Sequence, residues 1–189
     1  IKGFEIIHQD SQVTLHDLLQ EKIIEKSIIR GKVRLSSGLE TNVYVDLRQV
    51  TLDSEAAPLV GEVMLDLTKD LNFDAVGGLT LGADPVATAM MHVAAQQGRA
   101  LDSFVVRKAE KAHGLQRRIE GPDVAGKRVL AVEDTSTTGG SVLTAVETLK
   151  EAGAIVVGVA VIVERGAQQA ILDAGYPYLA AYSLQDLGL

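Results

Sequence analysis

Residues 129–141, which read VLAVEDTSTTGGS, decide the fold of this chain. The stretch begins with an apolar run, continues with two acids and several hydroxyl side chains, and ends with two glycines and a serine. An apolar run that ends in charge predicts a buried strand of a parallel sheet, and helical spacing follows the glycines. The loop therefore lies at the carboxyl end of a strand, where open parallel sheets bind their ligands.

The loop in this stretch has the features of an anion site. The first N–H groups of a helix have no partner within it and lie at the positive end of its dipole. Glycines let the main chain approach an oxygen atom without a Cβ. The loop residues are Thr135, Ser136, Thr137, Thr138, Gly139, Gly140 and Ser141. Since the preceding carboxylates can accept hydrogen bonds from sugar hydroxyls, the pattern indicates a sugar phosphate.

Other readings of a glycine-rich loop can be compared by spacing. A P-loop reads G-x-x-x-x-G-K-[ST] and a dinucleotide-binding loop reads G-x-G-x-x-G, and neither spacing occurs here. An ordinary strand–turn–helix connection, in which the threonines only cap the helix, remains an alternative. It gives no reason for the adjacent acids Glu133 and Asp134.

A second motif lies at residues 107–114, which read RKAEKAHG and follow an apolar run. Lysine supplies a point charge, arginine a bidentate fork, and histidine a group that is protonated near neutral pH. The cluster suits a clamp on a polyanion. A solvated charged face is the alternative, but the chain carries a net charge of −7 and such cation density opposes that trend.

On these residues the chain resembles the type I phosphoribosyltransferases. The strand, the two acids and TSTTGGS resemble the motif with which that family binds 5-phosphoribosyl 1-diphosphate (PRPP). The resemblance implies that Glu133 and Asp134 bind the ribose 2- and 3-hydroxyls. It also implies that the loop from Thr135 to Ser141 binds the 5-phosphate, and that Mg²⁺ is a cofactor held mainly by substrate and water.

The R-K-x-x-K-x-H-G pattern resembles the catalytic loop of the orotate phosphoribosyltransferases. The resemblance implies that Arg107, Lys108, Lys111 and His113 contact the diphosphate, with Asp134 also catalytic, and that the loop reaches the partner's site in a homodimer. The implied reaction transfers ribose 5-phosphate from PRPP to orotate in pyrimidine (UMP) biosynthesis, giving orotidine 5′-monophosphate and diphosphate. A phosphoribosyltransferase for another base and a non-catalytic PRPP-binding regulator are the alternatives.

Two further stretches are similar to the same family. Residues 33–48 resemble the segment that closes over the base, which implies base contacts by Tyr44 and Val45, although a plain strand explains the alternation equally well. Residues 77–85 resemble the loop behind the diphosphate and the base, which implies contacts by Thr80 and Leu81 on the orotate or diphosphate side. The family often has lysine at the positions of Ser36 and Leu81. Without a lysine at position 81, the main-chain N–H groups of residues 80–82 serve alone or another group substitutes. In this second stretch Asp84 reads as a helix N-cap.

Arg165 follows the apolar run 155–163 at its carboxyl end, which is again the ligand side of a parallel sheet. A guanidinium there can hold a carboxylate in a bidentate pair. The resemblance assigns an orotate contact to this position. A salt bridge in the neighbourhood of Glu164 is the alternative.

Composition and periodicity predict the architecture. Helical patterns at 13–26, 54–71, 84–97, 140–152 and 168–174 alternate with strands at 74–78, 101–106, 128–133, 155–163 and 178–183. The alternation predicts one α/β domain over residues 1–189, with a central parallel sheet flanked by helices. By the resemblance, residues 1–50 or so add a helix and a small hood over the base site.

The whole-chain composition narrows the partners. Zero cysteines suit a reducing compartment, and no apolar run approaches the roughly 18 residues of a membrane span. The negative net charge disfavours nucleic-acid binding. We therefore expect a cytoplasmic enzyme with no nucleic-acid or membrane partner.

Overall fold

The structure is a computed structural model that describes residues 12–35, 38–109 and 117–189. Its helices are α1 (Leu15–Lys26), α2 (Arg48–Thr51), α3 (Ala56–Leu67), α4 (Ala83–Gln96), α5 (Gly140–Glu151) and α6 (Gln168–Asp173). Its strands are β1 (Ile28–Arg34), β2 (Glu40–Val45), β3 (Ala75–Leu79), β4 (Asp102–Val106), β5 (Ile119–Glu120), β6 (Arg128–Ser136), β7 (Ile155–Glu164) and β8 (Tyr178–Ser183). A 3-10 turn follows at Gln185–Leu187.

The central sheet has the strand order β5-β4-β3-β6-β7-β8. All neighbouring strands are parallel except β4 and β5, which form a short antiparallel pair. Alternate residues of β6 and β7 face two apolar clusters, one packed against α1, α3 and α4 and the other against α5 and α6. The predicted α/β fold with a central parallel sheet between helices is confirmed, and the two-residue β5 is too short for a pattern to predict.

The chain between α1 and α2 forms a separate antiparallel pair, β1 with β2. The helix before it ends at Lys26, and the hydroxyl of Ser27 donates to the carbonyl of Ile23 at 2.6 Å. Gly31 lies within β1 at φ 133°, beside a register shift between Arg30 and Val33. We call this pair the hairpin. Its second strand carries Tyr44 and Val45 toward the ligand edge of the central sheet.

Two element boundaries differ from the sequence prediction. The strand predicted to stop at Glu133 continues to Ser136, because β6 pairs with β7 as far as the partners Ser136 and Glu164. Helix α4 begins at Ala83 with Gly82 as N-cap, so the prediction that Asp84 is the N-cap is wrong. The Asp84 carboxylate accepts the hydroxyl of Thr80 instead.

Candidate active site

A cleft with a volume of about 330 Å³ opens at the carboxyl ends of β3 and β6. This is the edge at which parallel sheets bind ligands. The predicted site residues that line it are Tyr44, Val45, Thr80, Leu81, Lys108, Glu133, Asp134, Thr135, Ser141 and Arg165. Residues that are far apart in the sequence therefore meet at one place.

The two acids of the motif lie near the carboxyl end of β6, and a hydrogen bond from the main chain of one to the side chain of the other joins them. Glu133 is 7% exposed, and its Oε1 accepts the N–H of Asp134 at 3.1 Å. Asp134 Oδ1 accepts the N–H of Thr135 at 2.7 Å. Burial, together with the adjacent Asp134 carboxylate, raises the pKa of Glu133 to about 9. This shift favours the protonated carboxyl, which can donate a hydrogen bond as well as accept one.

The loop after β6 turns into α5 at a glycine in the left-handed region. Gly139 has φ 83° and is the N-cap of α5, with no side-chain cap bond. The N–H of Gly140 donates to the Thr138 hydroxyl at 3.3 Å. The hydroxyl of Thr135 is buried and has no hydrogen-bond partner within the described parts of the chain. The loop thus offers an unsatisfied hydroxyl and an open helix N-terminus.

The predicted loop residues do not all line the cleft. Thr135 and Ser141 line it, whereas the others do not. Those others are Ser136, Thr137, Thr138, Gly139 and Gly140. Ser136 is 5% exposed, because it still belongs to the paired strand.

The turn between β3 and α4 packs against the acid pair. A Cβ built on Gly82 would lie 2.8 Å from Asp134 Oδ1 and would also meet Glu133 Oε1. The peptide bond between Thr80 and Leu81 is cis. A side chain at position 82 would therefore require the two carboxylates or the turn to shift.

The main-chain donors of this turn are fewer than the sequence indicates. The N–H of Thr80 donates to the carbonyl of Val106 at 2.8 Å, so it is not free for a ligand. Among the described residues, the N–H groups of Leu81 and Gly82 have no hydrogen-bond partner. The predicted set of three donors, residues 80–82, is therefore reduced to two.

The glycines that precede this turn serve packing. A Cβ on Gly77 would collide with the backbone and ring of Phe104, and one on Gly78 would lie 2.8 Å from the Cβ of Ala83. Both positions are buried in β3. Their small size lets β4 and α4 pack close to the strand that carries the turn.

The two adjacent cations after β4 lie on different sides. Lys108 lines the cleft, whereas Arg107 does not and instead forms an ion pair with Glu120, with 3.4 Å between Nη1 and Oε1. The chain bends at Lys108, directly after Arg107. The other predicted members of this cluster, Lys111 and His113, lie outside the described residues, as does Ser36.

Arg165 lies where the sequence predicts it, directly after β7. Its N–H donates to the carbonyl of Ser136 at 3.0 Å, and its side chain lines the cleft. Its Nε is buried without a hydrogen-bond partner in the part of the chain that the structure describes. Glu164 Oε1 accepts the N–H groups of Gly166 and Ala167, and no ion pair joins Glu164 to Arg165 among the residues that the structure describes. The guanidinium is thus available to a ligand.

Sequence reasoning missed an ion pair in the cleft wall. Arg48 Nε lies 3.1 Å from Asp46 Oδ1, and both residues line the cleft. Asp46 raises the pKa of Arg48, with smaller contributions from Tyr44 and Asp134. The charged residues that follow β2 are visible in the sequence, but nothing local shows that the hairpin ends beside β6.

No helix among the described residues combines the length and the apolar character that crossing a bilayer requires. No cluster of three or more histidine, aspartate or glutamate side chains among them has the arrangement of a metal site.

Comparison with known proteins gives the family. Residues 50–177 match the family model for the phosphoribosyl transferase domain. The chain is 67% identical over 174 residues to the orotate phosphoribosyltransferase of Streptomyces avermitilis, covering 90% of this chain and 96% of that protein.

Solved structures agree with this match. The orotate phosphoribosyltransferase of Mycobacterium tuberculosis H37Rv in complex with Fe(III) dicitrate has a TM-score of 0.86 and 52% identity, covering 93% of this chain and 100% of that one. Its complex with PRPP has a TM-score of 0.82 and 49% identity over the same shares of the two chains. The family predicted from the sequence is confirmed: the chain belongs to the phosphoribosyl transferase family and, within it, to the orotate phosphoribosyltransferases.

Proposed function

We propose that the cleft binds PRPP and orotate and transfers ribose 5-phosphate to a ring nitrogen of orotate, in de novo pyrimidine biosynthesis. The products are orotidine 5′-monophosphate and diphosphate. One observation carries the proposal: the acid pair, two main-chain donors and two cations, Lys108 and Arg165, line the same cleft, and these donors and cations have no partner among the described residues. These groups match the hydroxyls, the diphosphate and the carboxylate of the two substrates.

The acid pair binds the ribose. A protonated Glu133 and its neighbour Asp134 present both a donor and acceptors to two adjacent hydroxyls. As the bond to diphosphate breaks, positive charge develops on the ribose, and the Asp134 carboxylate stabilises that charge. The pair therefore supports binding and the chemical step together.

The loop from Thr135 to Ser141 binds the 5-phosphate. Its support is the open N-terminus of α5, where first-turn N–H groups and the helix dipole favour an anion. The left-handed Gly139 turns the main chain so that it enters the helix there. The unpaired hydroxyl of Thr135 and the Ser141 side chain at the cleft add donors.

The diphosphate lies between the turn and the cationic segment. The free N–H groups of Leu81 and Gly82 bind its oxygens from one side, and Lys108 approaches from the segment after β4. These donors act on the leaving group, where negative charge builds up during the reaction. Position 81 is not a lysine. Among the described residues of this turn and of the segment after β4, Lys108 is therefore the main positive charge at the diphosphate.

The catalytic segment is shared between subunits in this proposal. Arg107 is directed away from its own cleft toward Glu120, which suits a role in the site of a partner. Lys111 and His113 follow it in the sequence and are proposed to contact diphosphate there. An exposed apolar surface beside the cleft, which includes Leu52 at 67% and Leu81 at 55% exposure, supports a homodimer.

Arg165 gives the site its preference for orotate. An unpaired guanidinium can hold the carboxylate of orotate in a bidentate pair, a contact that uracil lacks. Tyr44 and Val45 of the hairpin line the same cleft and pack against the base. In this proposal the hairpin is the hood of a single domain that spans residues 1–189.

Mg²⁺ fits this donor set as an ion held mainly by substrate oxygens and water. Asp134 and Asp46 provide hard carboxylate oxygens at the cleft, which Mg²⁺ prefers. Together they would hold the ion through water molecules, and the ion would neutralise charge on the diphosphate oxygens. We also propose a cytoplasmic location and no nucleic-acid partner, supported by the absence of cysteine and the net charge of −7.

The loss of orotate absorbance on adding PRPP, Mg²⁺ and protein tests the function. We expect turnover with orotate and none with uracil, adenine or hypoxanthine, each offered separately with PRPP. The Asp134→Asn variant is the inactive control. Turnover with a different base, or PRPP binding without turnover of any base, would contradict the proposal.

A further inference from the structure

The turn that carries the two free donors is closed by one side-chain hydrogen bond. Thr80 Oγ1 donates to Asp84 Oδ2 at 2.6 Å, across the residues 81–83. Thr80 lines the cleft, whereas Asp84 lies in the first turn of α4 and faces a neighbouring groove. The bond therefore ties the cleft side of the turn to the helix behind it.

Burying the Asp84 carboxylate costs free energy, and helix capping does not explain why it is buried. Asp84 Oδ1 is buried without a hydrogen-bond partner among the described residues, and burial raises the pKa of Asp84. A buried unsatisfied polar atom requires an explanation. An acid in the first turn of a helix ordinarily bonds the free N–H groups there, but the N-cap of α4 is Gly82, with no side-chain cap bond.

Main-chain hydrogen bonds fix the rest of the turn and leave two main-chain N–H donors for a ligand. The N–H of Thr80 is bonded to Val106, and the N–H of Asp84 donates to the carbonyl of Leu81 at 3.2 Å. Between these two bonds, the N–H groups of Leu81 and Gly82 have no partner in the described parts of the chain. Their positions depend on the conformation that the Thr80–Asp84 bond fixes.

We propose that Asp84 is a positioning residue for the diphosphate: by holding the Thr80 hydroxyl, it fixes the turn whose Leu81 and Gly82 N–H groups bind the leaving group. The inference rests on the proposed function and deepens it. Asp84 touches no substrate and acts only through Thr80. Fixing the turn before the ligand arrives lowers the ordering cost of binding.

Two ligands separate positioning from a purely structural role. Inorganic diphosphate uses the turn, whereas ribose 5-phosphate uses β6 and the N-terminus of α5, which the turn does not supply. If Asp84 only stabilised the start of α4, its loss would lower the melting temperature and affect both ligands alike. If it positions the turn, the affinity for diphosphate falls and that for ribose 5-phosphate is kept.

The experiment is calorimetric titration of both ligands, with Mg²⁺, into the wild type and the variants Thr80→Val, Thr80→Ser, Asp84→Ala and Thr80→Val/Asp84→Ala. We expect Thr80→Val and Asp84→Ala each to weaken diphosphate binding about tenfold, as for one hydrogen bond to a charged group. Thr80→Ser retains the bond and stays near wild type. Ribose 5-phosphate affinity stays within about twofold throughout.

The double variant tests whether Asp84 acts through Thr80. In that case it binds diphosphate no more weakly than the worse single variant, because the same bond is lost only once. Thr68→Val is the matched control: Thr68 is the C-cap of α3, away from the cleft, and its buried hydroxyl donates to the carbonyl of Met64 at 2.8 Å. It should lower stability without changing either affinity.

Several results would overturn the inference. They are unchanged diphosphate binding in Thr80→Val, equal losses for both ligands, or additive losses in the double variant. If Asp84→Ala does not fold, the difference in diphosphate affinity between Thr80→Val and Thr80→Ser tests the inference instead. A wild-type protein that binds neither PRPP nor diphosphate would instead contradict the proposed function, so the two failures are distinguishable.

Discussion

Gly82 lies directly against Asp134, and a Cβ on Gly82 would stand 2.8 Å from the Asp134 Oδ1. Gly82→Ala should therefore displace the acid pair or the turn and weaken PRPP binding by about tenfold or more, since even one methyl group disturbs a packed site. The fold should persist, because the backbone at Gly82 has φ −60°, which alanine adopts. Calorimetry with PRPP and a thermal melt measure the two effects.

Gly126→Ala is the control for that prediction. Gly126 has φ 74° and open space around its Cα, outside the cleft, so alanine there is strained without touching the site. We expect it to lower the melting temperature and to leave PRPP affinity unchanged. Equal PRPP affinity in Gly82→Ala and wild type would show that the close contact has no role in binding.

Glu133→Gln should make stability less dependent on pH. The pKa of Glu133 is raised from 4.5 to about 9 on folding, so between these pH values the folded state keeps a proton that the unfolded chain has released. Stability of the wild type therefore falls as pH rises through this window. Glutamine cannot ionise, so the variant should be more stable than wild type at pH 8, by more than about 1 kcal/mol, and the difference should vanish near pH 4.

Chemical denaturation at pH 4, 6 and 8 measures this difference. Glu151→Gln, at the exposed end of α5, makes the same chemical change away from the cleft. If the difference in unfolding free energy between Glu133→Gln and wild type shrinks as pH rises, the assignment of a buried, protonated carboxyl is contradicted.

Mixed dimers of two inactive variants test whether Arg107 acts in the site of the partner subunit. Arg107→Ala and Asp134→Asn should each be inactive as pure proteins, because each lacks a group of every site. If Arg107 acts in the partner's site, random mixing after subunit exchange restores one intact site per mixed dimer, or about a quarter of wild-type activity. If mixing restores nothing while mixed dimers are demonstrated by mass, Arg107 acts in its own subunit.

Arg165→Ala should affect one substrate. Loss of a charged pair to the orotate carboxylate raises the KM for orotate by about 10- to 100-fold, with the KM for PRPP changed little. Arg165→Lys should recover only part of the loss, since lysine cannot form the bidentate pair. Steady-state kinetics with each substrate varied in turn measure both constants, and a matching rise in the KM for PRPP would place Arg165 at the diphosphate.

The sequence predicts the motif strand and the acid pair because both are local. An apolar run ending in Glu133 and Asp134 can be recognised without any tertiary contact. The same holds for Arg165 at the end of β7. The pattern does not predict the last three residues of β6, since the pairing of Ser136 with Glu164 depends on the neighbouring strand.

The contacts that shape the cleft are not local, and the sequence does not predict them. The ion pair of Asp46 and Arg48 reaches the cleft only because the hairpin ends beside β6. The need for glycine at position 82 depends on the acids of a strand about fifty residues later. The place of Asp84 before a proline predicts a helix N-cap, but its carboxylate accepts the hydroxyl of Thr80 instead.

A structure with PRPP bound tests the central claim most directly. We predict that the ribose hydroxyls lie within hydrogen-bonding distance of Glu133 and Asp134, with the diphosphate against the N–H groups of Leu81 and Gly82. PRPP bound elsewhere, or held in the cleft with its ribose away from the two acids, would contradict the account.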